Sequence, residues 1–71
     1  MATVGILGGG QLGMLLAESI YRYGGNVAVY DPDVNAPAHR LAAKSFMKPF
    51  TDSEALSEFF DFSDVVTYEF E

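Results

Sequence analysis

The sequence predicts an α/β fold, a three-layer, doubly wound domain with four parallel strands in order 3-2-1-4. Three observations predict it. Short apolar, β-rich runs alternate with stretches of helical periodicity, the pattern of successive right-handed βαβ units. The run Asn26-Val27-Ala28-Val29-Tyr30 is apolar almost without interruption, as a strand is when both faces of its sheet are covered. Between the first strand and the first helix stands Gly8-Gly9-Gly10-Gln11-Leu12-Gly13, a G-x-G-x-x-G turn that brings backbone N–H groups to the edge of a sheet.

Each element has its own local reason. Thr3 to Leu7 is a short β-rich apolar run and forms the first strand. From Gln11 to about Tyr23, Leu12, Leu15, Leu16 and Ile20 recur at i, i+3, i+4 and i+8, which predicts a helix burying that face. Gly24-Gly25 ends it, because glycine adopts the left-handed conformation of a helix C-terminus. Residues 26–30 make the second strand, and Asp31-Pro32-Asp33 turns the chain. Pro37 to about Ala43 reads as a short helix with proline in its first turn, and Ser45 to Lys48 as a third strand closed by Pro49. Asp52 or Ser53 caps a helix through Phe60, with Leu56, Phe59 and Phe60 inward. Val65 to Phe70 is the fourth strand.

Size and charge narrow the functions. Seventy-one residues, 1–71, make one small domain or part of a larger one, and a chain this size buries only roughly 60% of its unfolded surface. The chain carries a net charge of -6, and its four cations, Arg22, Arg40, Lys44 and Lys48, form no stripe, which argues against nucleic acid as a partner. Phe59, Phe60 and Phe62 therefore read as core or interface packing rather than as a stacking platform. Without cysteine there is no disulfide framework or thiolate metal site, which fits a reducing cytoplasm. No apolar run reaches the roughly 18 residues of a membrane span, so no membrane partner is expected. A parallel strand with no covering helix after it predicts that this is the front of a longer protein.

Two motifs face the same edge of the predicted sheet. The glycine turn, with Asp31 ending the second strand 18 residues beyond Gly13, matches a dinucleotide site in which the acid would hold a ribose. The same glycines are also met where only a tight strand-to-helix turn is needed, and Asp31 before Pro32 also serves a turn. A nicotinamide- or flavin-binding module of an oxidoreductase thus stands as one alternative. At the other motif, Thr67-Tyr68-Glu69-Phe70-Glu71, alternation puts Glu69 and Glu71 on one side of a strand end, in the crevice where open α/β sheets bind ligands. Both acids are equally compatible with capping or solvent exposure. His39, the one histidine, has no partner cluster and reads as a helix-surface residue. No catalytic triad or metal-ligand spacing is present.

Taken in order, Gly8-Gly9-Gly10-Gln11-Leu12-Gly13-Met14, Tyr30-Asp31-Pro32-Asp33, Asn35-Ala36-Pro37-Ala38 and Asp64-Val65-Val66-Thr67-Tyr68-Glu69-Phe70-Glu71 resemble the N-terminal domain of the N5-carboxyaminoimidazole ribonucleotide synthetase family. The resemblance spans essentially the whole chain but only about the first fifth of a typical member. It departs at Met14, where arginine is common, which leaves the turn less basic. It implies a Rossmann-like pre-ATP-grasp domain of a cytoplasmic purine-biosynthetic ligase. In that family ATP and bicarbonate give carboxyphosphate, whose carbon dioxide equivalent is captured by the amine of aminoimidazole ribonucleotide. Carried over, Gly10, Gln11 and Leu12 line the substrate wall, Glu71 faces the aminoimidazole, and Glu69 is a further candidate. ATP and Mg2+ bind in the domains that follow, so no catalytic, cofactor or metal residue is expected in this chain, which alone is inactive. A homodimer is expected, and a noncatalytic self-associating domain is the second alternative.

Overall fold

A computed structural model describes residues 2–69. Its elements are β1 (Thr3–Leu7), α1 (Gln11–Arg22), β2 (Asn26–Tyr30), a 3-10 helix (Pro37–Arg40), β3 (Lys44–Phe46), α2 (Ser53–Phe62) and β4 (Val65–Tyr68). All strand pairs are parallel, in order β3-β2-β1-β4 as expected. Gly5 of β1 sits beside Ala28 on one side and Val66 on the other.

β2 shows why its sequence is apolar throughout. Val27, Ala28, Val29 and Tyr30 are all fully buried, and alternation sends them to two different cores. Val27 and Val29 join Ile6, Ala17 and Ala38 beneath α1 and the 3-10 helix. Ala28 and Tyr30 join Phe46, Ala55 and Phe59 beneath α2. The second core is aromatic: the Phe59 ring meets Tyr30 and Phe46 edge-on, each with centroids 5.5 Å apart. Full burial of one such ring contributes roughly 1.5–3 kcal/mol. The Tyr30 hydroxyl donates to the Pro49 carbonyl at 2.6 Å. Burial, and then the negative charge of Asp52, push its pKa above the ordinary tyrosine value, so it remains a donor.

Four expectations need correction. The face of α1 against the sheet is not the leucine stripe. Gly13 and Ala17 are buried with Met14 and Ile20 beside them, whereas Leu12 and Leu15 are each 54% exposed. The reason is close approach: a Cβ at Gly13 would lie 2.8 Å from the Gly8 carbonyl oxygen, so only a residue without one lets the helix settle here. Beyond Pro37, the expected helix to Ala43 is a single 3-10 turn, because the chain must enter β3 at Lys44, one residue before the expected start. On α2, Ala55 and Phe59 are the buried pair, Leu56 is half-buried, and Phe60 is 49% exposed with its ring against Phe59. Finally, His39 is buried rather than on the surface, because the 3-10 helix folds back beneath the first turn of α1.

Candidate functional site

The site lies at the C-terminal edge of the sheet, where β1, β2 and β4 end together. Gly8 leaves β1 with φ 104°, a conformation open to glycine, and its N–H donates to the Tyr30 carbonyl at 2.8 Å. On the other side the Glu69 N–H donates to the Leu7 carbonyl at 3.2 Å. The turn is thus tied to both neighbouring strands before it enters α1.

Asp31 braces the turn from β2. Its Oδ2 accepts the Gly9 N–H at 2.7 Å, and its Oδ1 accepts the Asp33 N–H at 2.9 Å. The second bond is the Asx-turn geometry that Asp-Pro-Asp favours. Each oxygen thus accepts one backbone N–H, the turn-forming role that an aspartate before Pro32 also predicts. The Gly9 carbonyl in turn accepts the Ala38 N–H at 2.9 Å, holding the 3-10 helix in place. His39 Nε2 lies 3.1 Å from the Asp31 carbonyl oxygen, which can only accept, so this nitrogen carries the proton. Its Nδ1 is buried without a hydrogen-bond partner among the described residues.

Glu69 closes the site from β4. Its Oε1 accepts the Gly10 N–H at 3.2 Å. Its Cγ lies 3.4 Å from where a Cβ at Gly13 would be, so the side chain crosses the first turn of α1. Gly10 is the N-cap, with no side chain to offer, and that turn contains no acid of its own. The half-buried Glu69 carboxylate thus supplies the negative charge favoured at this helix end.

Of the expected site residues, Gly10 and Glu69 are brought into direct contact across 59 positions of sequence. Gln11 and Leu12 follow immediately on α1, both exposed at the rim, where an amide and an apolar surface face outward. Glu71 lies outside the described residues. Sequence reasoning missed the brace formed by Asp31 and the burial of His39. The Asp31-Pro32-Asp33 turn signals only the bond from the Asp33 N–H, since such acids bond backbone N–H groups two residues on; the bond from Gly9 has no local signal. Elsewhere, a cleft of about 280 Å³ between β3 and α2 is lined by Lys44, Phe46, Lys48, Glu58 and Phe62 among others. It shares no lining residue with the glycine rim and is at the small end for a ligand pocket. No group of three potential metal ligands occurs among the described residues.

Comparison with known proteins bears on the chain as a whole. The family model described as the ribonucleotide synthetase pre-ATP-grasp domain matches residues 1–71. The chain is 44% identical over 70 residues to an N5-carboxyaminoimidazole ribonucleotide synthase of Staphylococcus epidermidis, and 41% identical to one of Brucella melitensis, covering 99% of this chain in each case. Among solved structures, it superposes on N5-carboxyaminoimidazole synthetase from Staphylococcus aureus with a TM-score of 0.94 at 40% identity, covering 97% of this chain and 19% of that one. The corresponding Thermotoga maritima synthetase gives 0.91 at 37% identity, covering 99% and 20%. A Staphylococcus aureus synthetase structure complexed with ADP matches with 0.93. The chain spans 19% of the length of the two curated relatives.

Proposed function

Because the chain belongs to the ribonucleotide synthetase pre-ATP-grasp domain family, we propose that it is the N-terminal, substrate-side domain of an ATP-dependent ligase. The reaction is carboxylation of 5-aminoimidazole ribonucleotide by bicarbonate, giving N5-carboxyaminoimidazole ribonucleotide. ATP phosphorylates bicarbonate to carboxyphosphate, and the substrate amine then takes the carboxyl group as phosphate leaves. The observation that carries this reading is the contact between Glu69 and Gly10. It draws the ends of β1 and β4 into one wall, with Gln11 and Leu12 at its open rim.

Within that wall the roles follow from chemistry. The Gln11 amide can both donate and accept, so it can read a heterocycle or ribose hydroxyl, and Leu12 offers an apolar surface for a ring. Glu71, at the end of the same segment as Glu69, is assigned to the aminoimidazole amine as an acceptor. ATP and Mg2+ are assigned to the rest of the longer ligase. The acids at this edge, Asp31 and Glu69, brace the backbone of the turn, and no group of three potential metal ligands gathers among the described residues to hold magnesium here. With no lysine or arginine in the turn, the substrate phosphate is also held outside this chain. The chain alone would not turn over.

Self-association as a homodimer rests on α1, where Leu15 and Leu16 expose apolar surface outside the substrate wall. Light scattering that gave a monomer at high concentration would remove it. A cytoplasmic location follows from the proposed metabolic role. The catalytic reading is tested by Gln11→Ala in the full-length ligase. Loss of one or two substrate hydrogen bonds should lower kcat/KM for aminoimidazole ribonucleotide by about tenfold, with the KM for ATP unchanged. Unchanged kinetics would take Gln11 out of the substrate wall.

A further inference from the structure

The glycine turn and the acids around it say what the wall rejects as well as what it accepts. In a turn of this type, consecutive N–H groups and a helix N-terminus make a place for an anion. Here two of those donors already hold carboxylates of the chain itself: Gly9 N–H bonds Asp31 Oδ2 at 2.7 Å, and Gly10 N–H bonds Glu69 Oε1 at 3.2 Å. The two acids reach the turn from different strands, so their charges flank it on both sides. The turn itself contains no cation, and the helix that follows has none until Arg22.

We propose that Glu69 is a specificity-determining residue. Its carboxylate fills the anion position over α1, so the turn refuses phosphate and pyrophosphate groups and receives the neutral or cationic end of a ligand, an amine-bearing heterocycle above all. Asp31 assists by holding the neighbouring donor. For which ligand arrives, the proposal rests on the function proposed above; for what the turn refuses, it stands independently. A phosphorylated ligand must then enter with its phosphate directed away from Gly8 to Gly13.

Inorganic pyrophosphate is the probe. Titrated into the 15N-labelled chain at low salt, it should leave the Gly9 and Gly10 amide resonances unmoved. In Glu69→Ala the same amides should shift, with pyrophosphate bound at least about tenfold more tightly, because a unit negative charge has left the site. A residue that merely capped the helix would lower stability on removal without creating anion affinity. If Glu69→Ala does not fold, Glu69→Gln is read in its place, since it keeps an acceptor for Gly10 and removes only the charge. The same gain is expected there. Pyrophosphate binding to the native turn, or no gain in a folded variant, would overturn the proposal. Neither result depends on whether Gln11 contacts aminoimidazole ribonucleotide, so the two readings fail separately.

Discussion

The two helices of this chain begin in opposite ways. α2 is capped by its immediate neighbour: Asp52 accepts the Ala55 N–H at 3.0 Å, and Glu54 adds negative charge in the first turn. α1 begins on Gly10, with no acid in its first turn, and its negative charge comes from Glu69 at the far end of the chain. The first arrangement is complete within four residues and serves the helix alone. The second exists only once β4 has docked beside β1, so the fold and the site are completed by the same contact.

That contrast can be broken from either side, and the largest effect is expected beneath α2. Phe59 is fully buried between Tyr30 and Phe46, and its replacement by alanine should cost about 3–5 kcal/mol. A domain this small holds little more than that, so urea or thermal unfolding followed by circular dichroism should find Phe59→Ala largely unfolded. On the α1 side, Gly13→Ala is the sharper test because its sign is diagnostic. Within an ordinary helix glycine-to-alanine stabilises by roughly 0.4–1 kcal/mol. Here the added Cβ would sit 2.8 Å from the Gly8 carbonyl oxygen, so a loss of about 1–3 kcal/mol is expected in the urea midpoint. A stabilised variant would show that α1 does not depend on close approach to the turn.

The same contrast explains what could be read from the sequence. Strand order, β1, β2 and the capped start of α2 rest on local signals, namely alternating apolar runs, a glycine turn and an aspartate before a helical pattern. Hydrophobic periodicity misplaced the buried face of α1 because it weighs leucine above glycine. The sheet selects the opposite, small residues at 13 and 17 that permit contact. At the candidate site, the glycine turn and the strand end near Glu69 were legible as neighbours at one edge of the sheet. Their connections were not. That Asp31 braces Gly9 and Glu69 caps Gly10 depends on distances across 22 and 59 positions, which no local pattern encodes. His39 was misread for the same reason, since its burial comes from the bond between Ala38 and Gly9.

The smallest effects compare the two caps directly. Asp52→Ala removes a local cap and should cost about 1 kcal/mol, read as a lowered urea midpoint with unchanged slope. Glu69→Gln should cost less, about 0.3–1 kcal/mol, because Glu69 is half-buried and the glutamine oxygen can still accept from Gly10. What is lost is the interaction of one charge with the helix end, and that interaction is screened. Its cost should therefore shrink as salt rises from about 0.01 M to about 1 M, over which the Debye length falls from about 30 Å to about 3 Å. The Asp52→Ala cost should change less, since a hydrogen-bond acceptor has gone along with the charge. If Glu69→Gln proved the costlier and insensitive to salt, Glu69 would be a structural cap like Asp52, and the difference between the two helix starts would be one of distance only.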